Sequence, residues 1–434
     1  MDGMLHILNL KRINAGNIHL KSFWSQDAAN EFIVCQLDWI HQILQSKQIG
    51  QQVYKLDLPL CLELSNSFIS AINLLPLLSM SDKANQNDVP MQGQGAYSSH
   101  AALQHQAMLK ALPLFEKAAK AVANHDGDHT AVVEYGSAHG NNSLEPMQAI
   151  LKATPTRQVE LLFSDRPEND FSTLSTTITS WADALNKTQF PHSLFLSMIP
   201  RNFYHKVVPP QSAHLGFSLA ALHHLDHVPS PTGVQSEDDQ LLRKQAHLDL
   251  STFLELRAQE IISRGSLVLS FVGQASAGYE NYSGPVDACR NAMIEMVQQG
   301  IIPVSVAGAF RVPTYNRTLD DVRKVLSEMS SVWDVHDLFE ADITHPAIHD
   351  LKKNQAKDED ASREYASIVI DWMMAVCSGY FLKALKVGNE GRYTEEEEKT
   401  LLGDWVAKTK ELFIRDHKDE EVVCSFVYVH LSKV

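Results

Sequence analysis

The sequence predicts an α/β fold, a largely parallel sheet flanked by helices, with a helical cap inserted before the last strand. Three observations predict it. Short apolar, β-branched runs alternate with amphipathic helical stretches from residue 104 to residue 272, the grammar of βαβ units. Between 274 and 419 the apolar spacing is chiefly helical. Then Glu421–Ser432 (EVVCSFVYVHLS) is again a strand pattern, so the chain returns to the sheet after the cap.

Residues 1–89 follow a different grammar. Ala29, Phe32, Ile33, Leu37, Ile40 and Leu44 keep helical spacing and predict a helix over Asp27–Leu44. The rest alternates short apolar pieces with Gly and Pro, ending in the polar linker Ser81–Pro90. This reads as a poorly ordered extension, and Met80, just before the linker, is a candidate translation start.

From Met91 the elements follow in order. Gln104–Asn124 carries Met108, Leu112, Phe115, Ala119 and Val122 on one stripe, an amphipathic helix. Thr130–Tyr135 (TAVVEY) is a strand, GSAHG a turn, and Ser143–Leu151 a helix. Strand Val159–Ser164 (VELLFS), helix Phe171–Leu185 and strand Ser193–Met198 come next. Strand Ser212–Phe217, helix Ser251–Arg264 and strand Ser266–Val272 (SLVLSFV) complete the alternation. The cap helices are Gly284–Gly300, Thr318–Met329, Glu364–Val387 and Glu395–His417. The acidic run Glu395–Glu398 suits the start of the last one, where carboxylates meet the positive end of the helix dipole. The domains are therefore an extension at 1–89, a core at 90–275, a cap over the substrate at 276–419, and the last core strand at 420–434.

Composition excludes several partners. The chain has 434 residues, 44% hydrophobic and 21% charged, with a net charge of −15, which suits a globular protein and opposes binding to a phosphate backbone. Cys35, Cys61, Cys289, Cys377 and Cys424 are far apart and form no CxxC pair, so neither a zinc site nor a disulfide framework is expected. Met1–Leu20 mixes charges with apolar residues, unlike a signal peptide. The most apolar stretch, Leu56–Leu78, contains Asp57, Glu63, Pro59 and Pro76, which argues against a membrane span. A cytoplasmic protein without nucleic-acid or membrane partners is expected.

The chemistry concentrates at the ends of the first two strands. In VVEYGSAHGNNS, Glu134 closes the strand, Gly136 and Gly140 let the chain turn, and Asn142 opens the helix. The spacing is neither GxGxxG nor GxxxxGK[ST], so the dinucleotide and phosphate-loop fingerprints are absent. A nucleoside cofactor without a pyrophosphate fits better, and S-adenosyl-L-methionine suits: Glu134 can pair with its ammonium. Asp165, at the end of the second strand, can accept both ribose hydroxyls. It can instead shape the turn, with Asn169 or Asp170 capping the next helix.

From Met91 onward the chain resembles the SABATH family of salicylate, benzoate and theobromine-type carboxyl methyltransferases. The resemblance rests on MQGQGAYSSHAALQ, VVEYGSAHGNN, FSDRPENDF and IPRNFYHKVVPPQSAHLGFSLAALHHLDHVP, in family order. Weaker echoes follow in FLELRAQEIISRGSLVLSFVGQ and FRVPTYNRTLDDV. The resemblance implies a Rossmann-like class I methyltransferase sheet with an inserted helical cap, a small carboxylic acid as substrate and a homodimer. It places Tyr97, Glu134, Gly136, Asn142, Asp165 and Arg166 around the cofactor, with Asn202 and Phe203 at its adenine. It places Gln104 and His224 at the acceptor carboxylate, where they orient it for attack. Arg166 stands where the family is usually apolar, so its stem and backbone are the parts expected to pack on the adenosine.

Departures from the family pattern are specific. His224 replaces a tryptophan whose ring N–H shares the grip on the carboxylate, and Ala101 replaces a cofactor-contacting serine. Gly308, Ala309, Phe310 and Arg311 stand where some members bind magnesium through Asp and Asn, so no metal is expected. HHLDH offers His223, His224 and His227, yet nothing completes a metal site. Two other readings stay open: transfer to a phenol or heterocyclic nitrogen with a histidine as base, and a cofactor-binding paralogue without activity. Tyr279, Met293, Met296, Phe310, Tyr315 and Trp372 are candidates for the acceptor pocket, and core packing accounts for most of them equally well.

Overall fold

The computed structural model describes residues 101–434 except 123–126, 156–157, 187–191, 233 and 355–358. The helix expected at 27–44, the linker, Met80 and Tyr97 lie outside the described residues. The elements run α1 (Ala102–Val122), β1 (His129–Tyr135), a 3-10 turn (Asn141–Ser143), α2 (Leu144–Ala153), β2 (Gln158–Asp165), α3 (Phe171–Asn186) and β3 (Ser193–Pro200). Then come β4 (Ala213–Leu219), α4 (Gln235–Glu260), β5 (Ile261–Val272), α5 (Ser283–Gln298), α6 (Val304–Ala309) and α7 (Leu319–Glu328). The last are β6 (Trp333–Thr344), α8 (Ala347–Asn354), α9 (Glu359–Gly388), α10 (Glu395–His417) and β7 (Val423–Lys433).

The seven strands form one sheet in the order β3-β2-β1-β4-β5-β7-β6. β1 to β5 pair in parallel, and β7 runs antiparallel between β5 and β6. This is the Rossmann-like arrangement the strand–helix alternation predicts. The strand order reverses between β1 and β4, so their carboxyl ends open a crevice at the switch point.

Both faces of the sheet are covered. On one, α1 buries Leu103, Ala107, Ala111, Leu114, Phe115 and Ala118, and Phe115 meets Phe217 of β4 edge-on at 5.0 Å. Burying a phenylalanine of this kind is worth about 2–3 kcal/mol. On the other face, Phe253 and Leu254 of α4 and Val322, Val325 and Leu326 of α7 pack with Leu267, Leu269 and Trp333.

The segment 276–419 is not wholly helical, which corrects the expectation. β6 lies inside it and pairs with β7 from Trp333 to Thr344. Its sequence WDVHDLFEADIT is rich in Asp, Glu and His because it is an edge strand, exposed or half-buried along most of its length. The cap proper is α5, α6, α8, α9 and α10. Its core stacks Phe381 on Trp405 at 4.4 Å, and the Trp405 indole donates to the Cys289 carbonyl at 3.1 Å. α9 is long and apolar enough to cross a membrane by length and composition, but Val369, Ile370, Phe381 and Leu385 bury it within the cap.

Two boundaries also moved. The helix expected at Ser251–Arg264 begins at Gln235, because the polar half SEDDQLLRKQ is solvated and carries no apolar stripe. It ends at Glu260, since β5 starts at Ile261. The acidic run opens α10 as expected: Thr394 and Glu397 form a reciprocal capping box.

Candidate active-site cleft

The carboxyl ends of β1, β2 and β4 and the amino end of α1 enclose a cleft of about 1160 Å³, counting its open mouth. Gln104, Glu134, Gly136, Asn142, Asp165, Arg166, Asn202, Phe203 and His224 all line it. Sequence reasoning had singled out each of these; Tyr97 falls outside the described residues.

Glu134 is placed by the register of β1, opposite Phe163 of β2 and Phe217 of β4. It is 2% exposed, and its Oε2 has no hydrogen-bond partner among the described residues. Burial pushes its acid up to about 8, with a bond to Ser143 opposing. An unpartnered buried carboxylate oxygen in a cleft is a receptor for a cation.

The turn after β1 is held by the neighbouring strand. Gly136 and Ser137 donate their N–H groups to the Ser164 carbonyl at 2.8 and 3.1 Å. Gly136 has φ 92°, and a Cβ there would lie 2.8 Å from the Ala221 Cβ. Glycine is therefore what lets this turn pack closely against the Ala221 segment. Asp165 Oδ2 accepts the Ala138 N–H at 2.6 Å and Oδ1 accepts the Arg166 N–H at 2.7 Å. The turn-shaping role left open for Asp165 is therefore present. Each oxygen keeps lone-pair capacity for one more donor, so the role is compatible with accepting hydroxyls. Asp170 caps α3, accepting the Thr173 N–H at 3.0 Å.

Asn202 and Phe203 sit on the loop after β3, fixed from beneath. Asn202 Oδ1 accepts the Tyr204 N–H at 2.9 Å. The buried Arg257 donates to the Phe203 and His205 carbonyls at 2.8 and 2.9 Å. Ser164 Oγ donates to the Arg201 carbonyl at 2.8 Å, tying this loop to β2.

His224 enters from the segment after β4. The Tyr204 hydroxyl donates to its carbonyl at 2.8 Å, and the buried Arg317 guanidinium holds the Leu222 carbonyl just before it. Desolvation, with Arg166 adding to it, pushes the His224 imidazole down to about 4. It is a neutral ring at pH 7. His223 lies beside it, the rings tilted by 44° with centroids 4.4 Å apart, and His227 faces Asp226 at 3.6 Å instead. Among the described residues no group of three or more His, Cys, Asp or Glu is placed to hold a metal.

Gln104 stands where the cleft meets the cap. Its Oε1 accepts the Trp372 indole N–H at 2.9 Å. Of the six aromatic and methionine candidates, Met293 and Met296 are buried in the cap core, and Phe310 packs on Trp405. Tyr279 bonds Asp342 on β6. Tyr315 donates its backbone N–H to the His223 carbonyl at 2.9 Å. Sequence reasoning missed the pairing of Gln104 with Trp372, and missed Ser137, Ala138, His139, Asn169 and Tyr204 as lining residues. Ala138 and His139 carried a signal in lying within the Gly136–Gly140 turn.

Comparison with known proteins matches this geometry to a family. Residues 86–388 fit the profile of the SAM dependent carboxyl methyltransferases. The chain is 68% identical over 355 residues to "Methyltransferase FUS9" of Gibberella moniliformis, spanning 82% of this chain and 100% of that one. It is 45% identical over 377 residues to "O-methyltransferase acrG" of Aspergillus aculeatus, spanning 81% and 99% respectively. Among solved structures, a loganic acid methyltransferase with SAH overlays with a TM-score of 0.60 at 19% identity, covering 80% of this chain and 98% of that one.

Proposed function

Because the chain belongs to the family of S-adenosylmethionine-dependent carboxyl methyltransferases, we propose that it methylates the carboxylate of a small apolar acid, giving the methyl ester. The observation that carries this reading is one cleft that gathers a buried carboxylate with one unpartnered oxygen, a turn-clamping carboxylate and Gln104 at the cap boundary. Glu134 would hold the cofactor's ammonium and Asp165 its ribose hydroxyls, with Asn202 and Phe203 at the adenine. When bound, S-adenosylmethionine supplies an electrophilic methyl carbon.

The chain's own residues have little proton chemistry to perform. A carboxylate is ionised at pH 7 and already nucleophilic, so the task is to orient it. Gln104 would donate its amide to one acceptor oxygen, and neutral His224 offers a second donor. An acceptor that must first lose a proton, such as a phenol, needs a base poised near the working pH. With an imidazole held near 4, His224 is a weak one, which favours the acid.

The test is calorimetry with S-adenosylmethionine, followed by a labelled-methyl assay over a panel of aromatic and isoprenoid acids. Binding and base-labile label in an ester support the reading. Binding with no acid turned over would move the chain to a cofactor-binding protein without this activity, and base-stable label would move it to a phenol or nitrogen acceptor.

A further inference from the structure

Trp372 lies on α9 in the cap and is 5% exposed. Two rings from different segments hold it edge-on: Tyr282 at 5.7 Å and His345 at 5.6 Å. Both holders are anchored next to β7, Tyr282 donating its N–H to the Val423 carbonyl and His345 to that of Val422, each at 2.8 Å. Tyr282 adopts a left-handed conformation, φ 42° and ψ 43°, at the start of α5, which a bulky residue holds only where its surroundings fix it. The surroundings thus fix the indole before any ligand arrives.

The direction of the bond to Gln104 follows from chemistry. An indole nitrogen is a donor only, and a glutamine amide carries one accepting and one donating end. Turning the amide over would set N–H against N–H, so the Gln104 oxygen must face Trp372. The NH2 end is what remains for the cleft that Gln104 also lines.

We propose that Trp372 is a positioning residue that locks Gln104 as a hydrogen-bond donor, so that the site selects an accepting anion over a donating hydroxyl or N–H. This rests on the carboxylate reading above and adds to it a residue from the cap. Trp372 thereby joins the cap to the residue at the acceptor end of the cleft through a single bond. Without its N–H, Gln104 can present either end.

A double-mutant cycle on the full-length chain tests the idea. Trp372→Phe keeps the ring and removes the N–H. It is expected to raise KM for a methylated acid about tenfold, with kcat and cofactor affinity little changed, the loss of one oriented hydrogen bond. In a Gln104→Ala background the same change is expected to be silent. Multiplicative effects, or an unchanged KM in the single variant, would overturn the proposal and leave the carboxylate reading standing. A wild-type chain that methylates no acid would overturn both. Should Trp372→Phe not fold, the indole N–H resonance of Trp372 in the wild type and in Gln104→Ala gives the answer. It is expected to shift and to exchange faster in the variant, and identical shift and exchange would sink the bond.

Discussion

One carboxylate oxygen of Asp165 accepts the backbone N–H of Ala138 at 2.6 Å, joining the end of β2 to the turn that follows β1. Ala138 has φ 45°, a left-handed conformation that L residues other than glycine seldom adopt. The Asn169 amide donates to the Ala138 carbonyl at 2.7 Å, so both backbone polar groups of Ala138 are held. The strain at Ala138 is thus offset by the side chain that also faces the cleft, and the turn after β1 and the end of β2 form one mechanical unit.

Asp165→Asn is expected to weaken S-adenosylmethionine binding by tenfold or more, since an amide cannot accept at both ends. Ala138→Gly is expected to leave affinity intact and to change stability by less than about 1 kcal/mol, because glycine tolerates positive φ. Ala138→Val should lower the melting temperature clearly. Calorimetry and thermal unfolding of the three variants check this. Equal behaviour of the Gly and Val variants would show that the left-handed turn does not matter.

Cofactor binding should be linked to a proton through Glu134. Its acid stands at about 8 in the cofactor-free chain, so it is mostly protonated at pH 7. A cation beside it favours the carboxylate and drives the proton off. Affinity should therefore rise with pH up to about 8. Titrations in buffers of different ionisation enthalpy should show proton release at pH 7, and Glu134→Gln should abolish it. The sign for folding is the reverse: an acid raised from 4.5 to about 8 stabilises the empty fold fully below 4.5 and loses that contribution as pH rises through 8. Binding without proton release would refute the pairing.

The kcat/KM for an acid, measured with saturating cofactor, should show no ionisation from His224 between pH 6 and 8, because desolvation keeps that ring neutral down to about 4. His224→Gln keeps a neutral donor and should retain most of the activity. A wild-type profile with an inflection near 6.5 that disappears in this variant would turn the argument toward an acceptor needing a base.

How far the sequence alone carries the molecule depends on the range of the interactions involved. Glu134, Gly136 and Asp165 were legible because strand ends and a glycine turn are local signals, and a parallel sheet brings such ends together whatever the loops do. β6 was not, because an edge strand that pairs with β7 alone needs no apolar alternation, and WDVHDLFEADIT has little. The amino half of α4 was hidden for a related reason: it is held by polar contacts such as Arg243 to Asp321 of α7, which leave no apolar stripe. Trp372 was recognised as a pocket candidate, but its partner Gln104 is on α1, at the other end of the described chain. Nothing within either helix announces that pairing; it exists only once the cap folds back.

The cleft also depends on a buried ion pair beneath it. Arg257, fully buried, lies 2.9 Å from Glu260 in α4 and 4.1 Å above the Tyr135 ring. The Tyr135 hydroxyl donates to Glu260 at 2.9 Å, and the Val207 N–H donates to it at 2.6 Å. Through Arg257 the pair reaches the Phe203 and His205 carbonyls. It thereby holds the loop that carries Asn202 and Phe203. Glu260→Ala strands a buried guanidinium and should cost about 3–5 kcal/mol. A Glu260→Leu, Arg257→Met double variant removes both charges and should unfold at higher urea than the single one, while still binding the cofactor more weakly than wild type because the loop has lost its donors. If the double variant were no more stable than the single one, the stranded charge would not be the cause; if it bound the cofactor like wild type, the loop would be held by something else.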